Sequence, residues 1–133
     1  MAARQAERSI VEEDAVERRP FNALGREISV VGTGTWQLGI DLCEADPDEA
    51  ARTLQAACEA GVDFIDTADV YGGGGSERFV GRFLAAHPSA GLTVATKMGR
   101  RVPPTADAYS RDSFRSWNDR SRSNLGVETI DLV

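Results

Sequence analysis

The chain has 133 residues, a net charge of −6, 41% hydrophobic and 27% charged residues, which suits one acidic domain with a real core and does not suit a nucleic-acid partner. No apolar run reaches the ~18 residues of a membrane span, so no membrane partner is expected, and residues 1–20 lack the apolar stretch of a secretory signal. Cys43 and Cys58 show no CxxC spacing and no second pair, so neither a disulfide framework nor a metal site is expected, and the reading is of a cytoplasmic, reducing location.

Residues 1–20 read as a polar leader and residues 21–133 as the domain. Phe21 to Val30 supplies two short extended pieces around Gly25, a hairpin pattern. Val31-Gly32-Thr33-Gly34-Thr35-Trp36 follows as a strand that becomes a glycine-spaced turn. It lacks GxGxxG spacing and no helix is expected directly after it, so it is a poor dinucleotide fingerprint.

A first helix is predicted from Asp46, with Pro47 at its first position and Glu49 completing a capping box. Ala50, Leu54, Ala57 and Cys58 share its apolar face, and Gly61 stops it. Strand Val62 to Ile65 comes next, then Asp66-Thr67-Ala68-Asp69-Val70-Tyr71-Gly72 and the glycines to Gly75, read as a flexible loop. Ser76 is expected to cap a second helix with Phe79, Val80, Phe83 and Leu84 inward. After Pro88 and Gly91, Leu92 to Thr96 forms another strand. Pro103-Pro104 breaks the long connection that follows. Ser110 caps a third helix, in which Phe114, Trp117, Ser121 and Leu125 are expected in the core. Gly126 ends it, and residues 127–133 read as a fourth strand.

Gly61, Gly91 and Gly126 each end a helix directly before an apolar strand. That rhythm denotes βαβ crossovers and a parallel sheet, either open and doubly wound or a barrel. In both, active groups gather at the carboxyl ends of strands. Asp66 and Lys97 fall there, and Tyr71 follows five residues after Asp66. A carboxylate, a phenol and an ammonium brought together there can handle a proton. Taken singly they have plainer readings: a loop cap, a turn residue and a solvated lysine.

The segments GTGTW, GVDFIDTADVYGGGGSERFVGRFL, VATKMGRR and SRSNLGVETIDLV together resemble successive parts of an aldo/keto reductase. The resemblance covers about residues 21–133. It implies an α/β fold, the N-terminal portion, about half, of a (β/α)8 TIM barrel preceded by a β-hairpin. It also implies NADP(H) as cofactor and reversible reduction of a small-molecule carbonyl substrate. Carried over by motif, Tyr71 matches the family's proton donor, Lys97 its lysine and Asp66 its aspartate. Gly34, Thr35 and Trp36 match the loop beside the nicotinamide, and Asp66 is counted with them as cofactor-binding.

The chemistry suits those roles. A hydride added to a carbonyl carbon leaves an alkoxide that needs a proton, and a free phenol, ionising at about 10, needs tuning to supply it near neutrality. An adjacent ammonium favours the phenolate, and the carboxylate holds that ammonium charged and in place. The resemblance also assigns the family a histidine just after the strand that begins here as IDLV, beyond Val133. His87 lies in the wrong segment to replace it. A fragment of a longer reductase is therefore the expectation, with a non-catalytic nucleotide-binding or scaffold relative as the alternative. Open barrel edges would invite self-association or a complementary chain.

Overall fold

The computed structural model describes residues 16–40 and 47–133. Asp46, Cys43 and most of the expected leader lie outside the described residues. Strands β1 (Arg18–Phe21) and β2 (Arg26–Ser29) form an antiparallel hairpin, in register from Arg18 opposite Ser29 to Phe21 opposite Arg26. A 3₁₀ turn over Asn22–Leu24 joins them, and Gly25 leaves it in the left-handed region at φ 63°. Residues 18–20, read from the sequence as leader, thus belong to the first strand. Nothing local and apolar marks them. Their partner strand and the Val30 N–H bonded to the Glu17 carbonyl at 2.9 Å hold them.

Strands β3 (Gly32–Gly34), β4 (Phe64–Asp66) and β5 (Thr93–Ala95) make a parallel sheet in that order, with Gly34, Asp66 and Ala95 abreast at its carboxyl edge. Helices α1 (Trp36–Ile40) and α2 (Pro47–Glu59) lie between β3 and β4 in sequence; α3 (Gly75–Ala86) connects β4 to β5, and α4 (Arg111–Leu125) follows β5. The helix directly after GTGT was not expected, because five residues are too few to show a helical period. The expected fourth strand is reduced to one parallel bridge, Leu132 with Ala95.

Two apolar clusters hold these layers. Ala50 and Leu54 of α2 meet Phe79 and Phe83 of α3, with Leu38 and Cys58 at the margin. Ile65 and Val94, mid-strand in β4 and β5, meet Val80 of α3 and Leu125 of α4. Each such buried aliphatic side chain contributes roughly 1.5–3 kcal/mol. The helices α3 and α4 touch at Gly81, where a Cβ would stand 2.7 Å from the carbonyl oxygens of Asn124 and Leu125. Only glycine permits that approach.

At α4 the expected signals hold. The Ser110 hydroxyl accepts the Ser113 N–H, and Gly126 closes the helix in the left-handed region. Trp117 is buried, but Phe114 is 46% exposed and not in the core. It stands edge-on to Tyr109 and Trp117, which leave half of its ring uncovered. The start of α3 also differs from expectation. Gly74, not Ser76, is the cap, and Ser76 lies buried inside the first turn.

Candidate active site

The carboxyl edge of the sheet brings the three expected groups together. Asp66 ends β4, and Lys97 follows β5 by two residues. The Lys97 Nζ stands 2.5 Å from Asp66 Oδ1 and donates to the Thr67 carbonyl at 3.1 Å. It also lies over the Tyr71 ring, 5.7 Å from the centroid, within cation–π range. The Lys97 and Asp66 side chains remain 49% and 39% exposed, so the pair is open to a ligand.

Tyr71 is presented by an unusual turn. Tyr71–Gly74 is a 3₁₀ turn in which Gly72, Gly73 and Gly74 all have positive φ, at 55°, 62° and 93°. Three left-handed residues in succession require glycine. The run is a defined turn that feeds α3 and not the loose loop expected from its composition. The Tyr71 N–H bonds the Ala68 carbonyl at 3.1 Å, and the Gly73 N–H bonds that of Val70 at 3.2 Å.

Gly34 ends β3 at the same edge, and Thr35 and Trp36 follow it. Where a Gly34 side chain would stand there is open space, and Trp36 is 55% exposed. Thr35 is fully buried. Its N–H and its hydroxyl both donate to the Asp66 carbonyl at 2.9 Å. The Ser76 hydroxyl lies 2.7 Å from the Thr35 hydroxyl and 2.9 Å from that of Thr67. The hydroxyls thus run Thr67 to Ser76 to Thr35 to the Asp66 carbonyl, a satisfied buried network that sets the end of β4.

A second polar network went unseen in the sequence. Asp69 is buried, and its carboxylate takes the Arg120 guanidinium at 2.7 Å and faces Arg101 at 3.6 Å. Arg101 also donates to the Asp69 carbonyl, and the Asp69 N–H donates to the Lys97 carbonyl at 3.1 Å. Beside it Glu77, also fully buried, accepts from the Thr96 hydroxyl at 2.7 Å and from Asn124 Nδ2 at 2.8 Å. The only available signal was the four-residue spacing of Arg120 and Asn124, which puts both on one side of α4. His87 lies apart from the site: its ring stacks on Phe83, and Nδ1 pairs with the Phe83 carbonyl at 2.9 Å.

Comparison with known proteins agrees with this architecture. The model of the aldo/keto reductase family matches residues 30–133. A 6-dehydroglucose reductase of Novosphingobium aromaticivorans is 37% identical over 122 residues, covering 86% of this chain and 39% of that protein. Among solved structures, an aldo-keto reductase from Bacillus halodurans in its holo form superposes with a TM-score of 0.70 at 27% identity, over 88% of this chain and 40% of that one. An aldo-keto reductase from Klebsiella pneumoniae in complex with NADPH shares the fold, with a TM-score of 0.65 at 20% identity, over 80% and 34%. The chain spans about two fifths of the length of the relatives it matches. Its hairpin and parallel β/α units are part of a (β/α)8 barrel, as the sequence led one to expect.

Proposed function

Because the chain belongs to the aldo/keto reductase family, a family of oxidoreductases, we propose that Asp66, Tyr71 and Lys97 are the proton-delivering part of an NADP(H)-dependent carbonyl reductase. The observation that carries this reading is the Lys97 ammonium, held between the Asp66 carboxylate and the Tyr71 ring at the open edge of the sheet. Tyr71 gives its phenolic proton to the oxygen of the reduced carbonyl and takes it back in the reverse reaction. Lys97 favours the phenolate left behind, since an adjacent cation stabilises it. Asp66 holds and directs the Lys97 ammonium through their 2.5 Å contact.

The residues at this edge suit a nicotinamide cofactor. Trp36 offers an exposed aromatic face, Gly34 leaves room, and the Asp66 carboxylate is half-exposed. These three would hold the cofactor, with Thr35 positioning them from below. When bound, the cofactor supplies the hydride. The substrate is a small aldehyde or ketone; the name of the Novosphingobium relative favours a sugar-like carbonyl compound.

The activity is that of a complete barrel, to which these residues contribute about two fifths if the relatives are a guide to size. A (β/α)8 barrel takes at least ~200 residues, and the resemblance assigns the fourth catalytic group, a histidine, to a part of the barrel outside these 133 residues. Within the described residues no helix is long and apolar enough to cross a membrane, and we place the enzyme in the cytoplasm. The test is NADPH consumption with small aldehydes by a chain carrying the complete barrel. Tyr71→Phe should lower turnover by a factor on the order of 100 or more, the usual contribution of a positioned general acid. Wild-type turnover in that variant would remove Tyr71 from the role.

A further inference from the structure

The turn that carries Tyr71 and the strand exit that carries Lys97 are both tied to one side of α4. Arg120 and Asn124 stand one helical turn apart. Arg120 donates to Asp69 Oδ2 at 2.7 Å, two residues before Tyr71. Asn124 donates to Glu77 Oε2 at 2.8 Å, and Glu77 Oε1 accepts from Thr96, the residue before Lys97. Gly74 lies against the Asn124 tie: a Cβ there would come within 2.9 Å of Asn124 Nδ2, 3.1 Å of the Arg78 guanidinium and 3.6 Å of the Arg101 guanidinium. Asp69 and Glu77 are buried carboxylates that no catalytic step above uses. Among the described residues Asp69 Oδ1 has no hydrogen-bond partner, and Arg120 and Arg101 are the cations paired with that carboxylate.

We propose that Arg120 and Asn124 are positioning residues that set the spacing between Tyr71 and Lys97, Arg120 through Asp69 and Asn124 through Glu77 and Thr96. The proposal rests on the reading of Tyr71 and Lys97 as the proton-delivering pair. Removing one partner of a buried, charge-assisted contact leaves the other unpaired. Small displacements of a reacting group lower the rate steeply while leaving binding contacts intact. The bonds of Arg120 and Asn124 go to Asp69 and Glu77 and not to Asp66, Tyr71 or Lys97 among the described residues, so their loss should appear in kcat and not in KM.

The experiment uses the complete-barrel chain with Arg120→Met, Arg120→Lys, Asn124→Leu and Tyr71→Phe. The expected result is a kcat lowered on the order of 10-fold or more for Arg120→Met and Asn124→Leu with KM for the aldehyde within about twofold, and partial recovery in Arg120→Lys, which keeps the charge. Hydrogen exchange should show faster exchange at the Asp69 and Tyr71 amides in Arg120→Met, with the Ile65 and Val94 amides unchanged. If Arg120→Met is too unstable to assay, Arg120→Lys and Asn124→Leu decide the question. Unchanged kcat in folded variants, or equal changes in kcat and KM without recovery by lysine, would overturn the proposal. Wild-type turnover in Tyr71→Phe would instead overturn the underlying reading of the site.

Discussion

Strand β4 carries an aspartate at each end, and the two are employed differently. Asp63 precedes the strand and is fully engaged. Its Oδ1 accepts the Ser29 N–H at 2.8 Å, its Oδ2 takes Arg18 at 2.6 Å, and its own N–H donates to the Ser29 hydroxyl at 3.1 Å. Asp66 ends the strand and holds a single cation at 2.5 Å with its side chain 39% exposed. Three positions along one short strand therefore separate a carboxylate committed to fastening the hairpin from one with capacity left for a ligand. In a parallel β/α fold the amino end serves stability and the carboxyl end serves chemistry, and here both appear on one short segment.

The largest effect that would sharpen this contrast is at Lys97. Lys97→Met in the complete barrel should cut turnover on the order of 100-fold. It should move unfolding stability by less than about 1 kcal/mol, because a half-exposed pair stabilises little. A stability loss as large as the activity loss would break the contrast. Next in size is Asp63→Ala, which strands the Ser29 N–H and Arg18 together. Urea unfolding should show a loss of about 2 kcal/mol, against under about 1 kcal/mol for Asp66→Ala.

Acid should expose the same difference. Burial alone would raise the Asp63 pKa, but the Ser29 hydrogen bonds and Arg18 outweigh it and hold the carboxyl below its ordinary value of 3.8. A carboxylate depressed in the folded state contributes stability that is present above its unfolded value. That stability is lost as pH falls from there through the folded value, since the unfolded chain takes up the proton first. Denaturation measured from pH 5 downward should show a loss below about pH 4 that is diminished in Asp63→Asn. An identical acid limb in the variant would dismiss Asp63 as its source.

The smallest expected effect concerns Cys58, also at the amino end of the sheet. Burial first, then the charges of Asp63 and Glu59, push its thiol above the usual range. Alkylation at pH 8 in a Cys43→Ser background should be slower than that of a free cysteine. Asp63→Asn should speed it modestly, and a slower reaction in that variant would contradict the assigned charge effect.

The parts of the fold carried by local rules were legible in advance. Ser110 and Gly126 bound α4 as their side-chain chemistry requires, and the Phe79, Val80 and Phe83 face of α3 is buried as its period demands. Misreadings fell where a distant contact overrides the local rule. Ser76 has the composition of a cap, yet its hydroxyl is claimed by Thr35 and Thr67, and Gly74 caps α3 in its place. Phe114 has core spacing, but only Tyr109 and Trp117 stack against it. The Arg18 strand is polar and unperiodic, and its pairing depends on β2 and Asp63.

By itself the sequence determined the alternation of α2, β4, α3, β5 and α4 and the strand ends beside which Asp66, Tyr71 and Lys97 fall, because side-chain period, glycine stops and motif spacing act over a few residues. The tertiary structure alone decided that Thr35 is buried, and that Asp69 and Glu77 answer to Arg120 and Asn124. Those contacts join residues 19 to 51 positions apart, and no local rule says which buried polar group a distant side chain will satisfy. Burial makes an unpaired charge costly enough that the packed chain must choose.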